Sequence, residues 1–297
     1  MISYGQRAPN NIFLKKYINS YTFSIGKIEK TSNKFIARAF PTFYTQLYFE
    51  FCGNISYIEK KEKIEKIEKR TYVNAGVGEW FDIFEIEKNF KNVSVKNFKV
   101  DLHPHTLMEV FNISPKELVM QNLRVEDIWL NKQDCIDMIE QIEESISGDE
   151  MILIFEKYFL KLLSTKIIKY NNLYVNDFLN HNPSLNEFSK QIGFSTRWVQ
   201  KEYSKIFGLT FKELQNNIRF LKTIEKIENH IASNSNLNFS LLAHECNYYD
   251  QAHFIKEFKR FMGMTPLEYI RSFNDKKDNY ILTLQSFNTL IDVFNKD

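Results

Sequence analysis

Two groups of side chains are the residues of this chain best placed to do chemistry. The first is Arg197, Gln200, Lys201 and Lys205, and the second is Gln251, Ala252, Lys256 and Lys259. Arginine and lysine donate to guanine O6 and N7 or to phosphate oxygens, and glutamine pairs with adenine N6 and N7. A helix that shows such a set on one face suits the major groove of DNA. The chain has no Gly-rich phosphate loop, nucleophile elbow or paired catalytic carboxylate. No catalytic residue, cofactor or metal ligand is therefore expected, and the chain is read as a non-enzyme.

The elements that must hold these residues form a repeat. Ser189–Phe211 and Ala243–Pro266 align with one extra residue at Tyr249: Val199 with Phe254, Lys201 with Lys256, Glu202 with Glu257, Tyr203 with Phe258, Gly208 with Gly263 and Thr210 with Thr265. Each copy reads as helix, tight turn, helix. Ser184-x-x-Glu187 has the form of a capping box, and Gly193 and Asn247 are the residue types that tolerate a left-handed turn. Ser195 and Asp250 stand where the second helix should be capped, and Gly208 and Gly263 where it should stop. Val199, Tyr203 and Ile206, like Phe254, Phe258 and Phe261, recur at i, i+4, i+7 and should face a core. A helix through Leu214, Ile218, Leu221 and Ile224 would join the two units.

This stretch resembles the DNA-binding domain of the AraC/XylS family of bacterial transcription regulators. The family pattern for the second unit is met at Ala243, Cys246, Tyr248, Asp250, His253, Phe254, Phe258, Lys259, Gly263, Thr265 and Pro266. The first unit meets it at Ser195, Arg197, Gln200, Lys201 and Tyr203. Asn247 replaces a glycine, Lys201 and Lys256 replace arginines, and Val199 replaces a leucine; a lysine keeps phosphate contact but is a point donor. The resemblance implies base-facing positions at Arg197, Gln200, Lys201, Gln251, Ala252 and Lys256, with double-stranded DNA and RNA polymerase as partners. It also implies activation of transcription and a homodimer. Cys246 and His253 read as turn and packing residues.

Composition bounds the rest. With 39 Lys plus Arg against 37 Asp plus Glu, net charge does not announce a nucleic-acid binder, and residues 181–273 carry an excess of only three positive charges. Any basic surface must be local. Cys52, Cys135 and Cys246 lack paired spacing, which disfavours a disulfide framework or zinc site. No apolar run of membrane-spanning length and no signal peptide is seen, so a cytoplasmic protein is expected.

In the N-terminal half, alternation predicts strands over TFSIG before Lys27, Gln46–Phe51, Trp80–Ile86 and Val93–Leu102. Several short strands suggest a cupin-like barrel or a sandwich. The charged stretch Ile58–Arg70 reads as a solvated hairpin extension or helical insert. His103-Pro104-His105 could begin a metal site, but without an evident glutamate and third histidine at suitable spacing it reads as a turn where a strand ends. Two amphipathic stripes follow, Ile136, Ile139, Ile142 and Ile146, then Ile152, Phe155, Phe159, Leu162 and Leu163, with Gly148 as the break. Met138, Ile154, Leu160 and Ile167 fall off these stripes, a surplus expected to serve a dimer interface. The order of these elements is similar to that of a sensor-like domain often found ahead of AraC-type DNA-binding domains. The expected class is α+β, with a ligand-sensing or dimerisation domain at 1–170, a linker at 171–183, a double helix-turn-helix at 184–273 and an apolar tail at 274–297. The function expected is a sequence-specific transcription regulator under a small-molecule effector. The alternatives are an effector-independent DNA binder and a metal-dependent cupin-type enzyme fused to a DNA-binding domain.

Overall fold

A computed structural model describes residues 2–28, 35–39, 42, 44–51, 56–60, 63–67, 71–75, 81–85, 93–118, 123–165, 178, 182–233 and 237–274. The tail beyond residue 274, Cys52, Ile167 and most of the expected linker lie outside them. Nine strands are described: β1 Ile2–Arg7, β2 Ile18–Ile28, β3 Phe35–Ala39, β4 Thr45–Glu50, β5 Ser56–Lys60, β6 Lys63–Ile67, β7 Thr71–Ala75, β8 Phe81–Glu85 and β9 Val93–Leu102. They form two antiparallel sheets, in the orders β1-β2-β9-β4-β7 and β3-β8-β5-β6. β5 and β6 pair with Lys60 opposite Lys63, so the charged stretch forms a hairpin rather than a helix. β1, β3 and β7 carry no clear alternation and are absent from the strands that the sequence predicts.

The helices are α1 Pro115–Leu118, α2 Val125–Ile128, α3 Lys132–Glu144, α4 Gly148–Ser164, α5 Leu185–Ile192, α6 Thr196–Phe207, α7 Phe211–Ala232, α8 Phe239–Glu245, α9 Gln251–Met262 and α10 Pro266–Asn274. One face of the first sheet packs on α4. Tyr21, Phe49 and Phe98 meet the Phe155 ring at 6.0–6.2 Å centroid separation, and Phe159 and Trp129 extend the cluster. Phe155 meets Tyr21, Phe49, Phe98 and Trp129 edge to face and stacks on Phe159, geometries that add to their burial. Gly148 is the first residue of α4 rather than a plain breaker. A Cβ there would lie 2.2 Å from the Phe23 ring, so only glycine lets the helix start against the sheet.

The helix pair packs on the sheet by a different stripe from the one expected in α3. Cys135, Met138, Ile139 and Ile142 are buried, whereas Ile136 is 40% and Ile146 88% exposed. Ser145 caps the helix at its C-terminus, so Ile146 lies beyond the last turn and its helical spacing from Ile142 is accidental. Met138 belongs to the core, and Ile154 and Leu160 pack against it, so this surplus is spent inside the domain.

A second hydrophobic core is built by α5–α10. Tyr44, which leads into β4, is buried in that second core while its ring meets His103 at 6.0 Å. It links the two halves.

Candidate nucleic-acid interface

The local signals of the repeat appear as atoms. Ser184 Oγ accepts from the Glu187 amide while Glu187 Oε2 accepts from the Ser184 amide, closing the capping box of α5. Gly193 (φ +74°) and Asn247 (φ +57°) take the left-handed turn after α5 and α8. Ser195 Oγ accepts from the Trp198 amide and Asp250 Oδ1 from the His253 amide, so α6 and α9 start where their caps stand. Gly208 and Gly263, both with positive φ, end them. Two further boxes, Thr210 with Glu213 and Thr265 with Glu268, start α7 and α10. Their T-x-x-E spacing is the same local signal as Ser184-x-x-Glu187.

Burial sorts the faces of α6 and α9 as their periodicity requires. Val199, Tyr203, Ile206, Phe254, Phe258 and Phe261 are buried. Arg197, Gln200, Lys201, Lys205, Gln251, Ala252, Lys256 and Lys259 are all exposed. Both helices thus present donor-rich faces to solvent. Phe194 and Trp198 stack at 4.0 Å at the start of α6, Phe194 exposed and Trp198 partly buried against the second core.

Residues 188–272 match the family model described as a helix-turn-helix domain. Among solved structures, the chain is similar to ToxT from Vibrio cholerae, at 13% identity over 84% of this chain and 98% of that one, with a TM-score of 0.42. It is similar to a DNA-binding transcriptional dual regulator from Escherichia coli K-12, at 20% identity over 35% of this chain and 99% of that one, with a TM-score of 0.29. A third is the AraC-like transcriptional activator CuxR, at 10% identity over 74% of this chain and 86% of that one, with a TM-score of 0.26. No curated protein matches.

The C-terminal helices form a helix-turn-helix domain. A helix-turn-helix is a DNA-binding module, so the chain carries a DNA-binding domain in its C-terminal part.

Within this helix-turn-helix domain the two units are held differently. α9 is fixed to the joining helix α7 by Arg219, whose guanidinium donates to both Glu257 oxygens at 2.6–3.0 Å and lies 4.7 Å over the Tyr248 ring. Tyr248 is tied to α7 again through Thr223. His253 packs edge to face on Tyr248, and Cys246 is buried at the end of α8, both as packing and turn residues. α6 instead meets the N-terminal half. Ser114 Oγ donates to the Lys205 carbonyl at 3.3 Å, and a Cβ on Gly208 would lie 2.9 Å from Pro115 Cβ. α1 in turn packs on β7.

His103 and His105 lie in a turn at the end of β9. Burial, then the neighbouring His105, pushes the His103 imidazole down to about 4, and burial also lowers that of His105. His105 Nε2 meets the Lys16 carbonyl at 2.8 Å. Both rings tie the strand end to the turn before β2. Among the described residues no cluster of three or more His, Cys, Asp or Glu side chains could hold a metal ion, and no helix is long and apolar enough to cross a membrane.

Proposed function

We propose that the chain reads a two-part operator through α6 and α9 under the control of a small-molecule effector in the N-terminal half, without catalysing a reaction. The observation that carries the DNA-reading part is the sorting of α6 and α9: all eight donor-face positions are exposed and every apolar counterpart is buried. Arg197, Gln200, Gln251 and Ala252 would face base edges, and Lys201, Lys205, Lys256 and Lys259 the backbone or flanking bases.

Two contacts support effector control. α1 bridges β7 and the C-terminal end of α6, and Tyr44 bridges the turn at His103 and the second core. A change in the sheet thus has a packed route to one reading helix, while α9 is held independently by Arg219. A cytoplasmic homodimer, activation of transcription and contact with RNA polymerase complete the proposal. Selection of bound fragments from random duplex DNA tests it. The expected product is a bipartite motif whose two halves respond separately to substitutions in α6 and α9; a motif indifferent to both helices would overturn the reading.

A further inference from the structure

The first turn of α6 carries more than hydrogen-bond donors. Phe194, the residue before the Ser195 N-cap, stacks on Trp198 with ring centroids 4.0 Å and planes 16° apart. Phe194 is 47% exposed, and Trp198 is partly buried against the second core. An apolar residue just before an N-cap ordinarily packs on the fourth helical residue and so fixes how the chain enters the helix. Here that fourth residue is Val199, fully buried in the second core. The Phe194 ring lies flat on the third, Trp198, and leaves about half of its surface in water.

The second unit shows that the fold does not require this exposure. In the alignment of the repeat Phe194 corresponds to Tyr248 and Trp198 to His253. That pair is also in contact, edge to face at 5.5 Å, but its first ring is turned inward. Tyr248 is buried, its hydroxyl meets that of Thr223, and the Arg219 guanidinium lies over its ring. In the first unit the corresponding Phe194 is open to solvent, on the same helical turn as the exposed Arg197 and one turn from Gln200 and Lys201. One ring pair thus holds its helix to α7, and the other is presented beside the donor face.

Residues at the start of a reading helix are the ones that reach base edges. The groove itself decides what an aromatic stack can take there. Guanine N7 and O6, adenine N7 and N6 and cytosine N4 are polar, and against a ring they would lose water without gaining a partner. A phosphate would lose more. The thymine C5-methyl is the one apolar group that the major groove displays. We infer that Phe194 and Trp198 form an apolar shelf that reads thymine methyl groups in the half of the operator bound by α6. Packing a methyl on the shelf withdraws both it and the Phe194 ring from water, so this part of the sequence preference needs no hydrogen bond. The inference rests on the proposed reading of DNA by α6 and adds to the polar contacts of Arg197 and Gln200 a base that they do not select. A protein partner seated on the same rings would compete with the duplex for that turn.

The test uses the full-length chain and the motif selected from random duplex DNA. Each thymine in the half assigned to α6 is replaced singly by deoxyuridine, which removes the methyl and keeps every hydrogen-bonding group of the base. Wild type should bind at least one such duplex roughly fourfold more weakly, the worth of one methyl group withdrawn from water. Phe194→Ala and Trp198→Ala should bind the thymine and deoxyuridine duplexes alike. Base changes in the half assigned to α9 control for folding, since both variants should respond to them as wild type does. If Trp198→Ala fails that control, Trp198→His, which supplies the residue type of the second unit, replaces it. Indifference of wild type to deoxyuridine throughout the α6 half would overturn the inference, as would variants that keep the wild-type discrimination. Normal thymine preference in both variants, with transcription lost in a reconstituted assay, would assign the rings to polymerase and equally overturn it. A motif that ignores Arg197→Ala and Gln200→Ala as well would take α6 off the DNA altogether, a result distinct from failure of the shelf alone.

Discussion

Lys201 and Lys256 hold equivalent places on α6 and α9, exposed and flanked by other donors. An ammonium on phosphate releases about one counterion, so Lys201→Ala and Lys256→Ala should each weaken operator binding and lower the salt slope by roughly one unit. Arg197→Ala and Gln200→Ala should cost about 1–3 kcal/mol and also relax sequence preference, because they remove base-edge donors. Filter binding across a salt series, on the selected motif and on scrambled DNA, checks both; normal slope and preference in all four would remove the assignment. Arg219 is different in kind. Its carboxylate partner is almost fully buried, so Arg219→Met should destabilise the C-terminal helices by about 3–5 kcal/mol in urea unfolding, the cost of a buried charge left alone. A loss below about 1 kcal/mol would mean that Glu257 finds water in its place.

The elements of the repeat make sharper claims than single contacts. Phe258 is fully buried between Phe220, Phe254 and Tyr269. Phe258→Ala should therefore cost about 3–5 kcal/mol and melt the C-terminal helices ahead of the sheet domain. Gly193 and Gly208 share a left-handed backbone, yet nothing lies within 4 Å of a Cβ at Gly193. Gly193→Ala should cost only the backbone strain, about 1 kcal/mol, while Gly208→Ala should cost more because α1 must also move. Equal losses in denaturant titrations would show that α1 is not held against α6. α7 and α10 meet at Glu228, which accepts from the buried Tyr269 hydroxyl at 3.0 Å. Burial, the largest influence, raises its carboxyl to about 7 despite that hydrogen bond. The folded state then holds the proton more tightly than the unfolded chain, so this contribution is full below about pH 4 and is lost as pH rises towards 7. Glu228→Gln should raise stability at pH 8 by about 1–2 kcal/mol and flatten the profile between those values; an unchanged slope would place the titration elsewhere.

At the scale of the whole molecule, the expected dimer needs a surface other than Met138, Ile154 and Leu160, which pack in or against the domain core. The apolar side chains that remain outward on the helix pair are Ile136 and Leu153, the latter 67% exposed. If they form the contact, Leu153→Glu should turn a dimer into a monomer in sedimentation equilibrium without lowering the melting temperature. A wild-type chain that is monomeric at tens of micromolar would remove the dimer itself. Dimerisation would raise the effective concentration of the second reading unit at a repeated operator without any new base contact.

The sequence by itself determined what local chemistry determines. The boundaries of α5, α6 and α9 follow from Ser184, Gly193, Ser195, Gly208, Asp250 and Gly263, whose caps and turns act within four residues, and the buried faces follow from a single helical period. For the same reason the exposed donor faces of α6 and α9 were legible. Contacts between distant segments were not. In α3 the apolar spacing admitted two stripes, and only packing against the sheet chose Cys135 and Met138 over Ile136 and Ile146. The alternation in β2, β4 and β9 marks one polar face, which a sequence reads as facing water, because period two reports side-chain polarity and not what lies over it. Tertiary structure alone buried that face and paired Asp101 with Lys99, Ser20 and Gln46. It alone also set Pro115 against Gly208, because a contact across some ninety residues depends on how two cores meet and leaves no period in either segment.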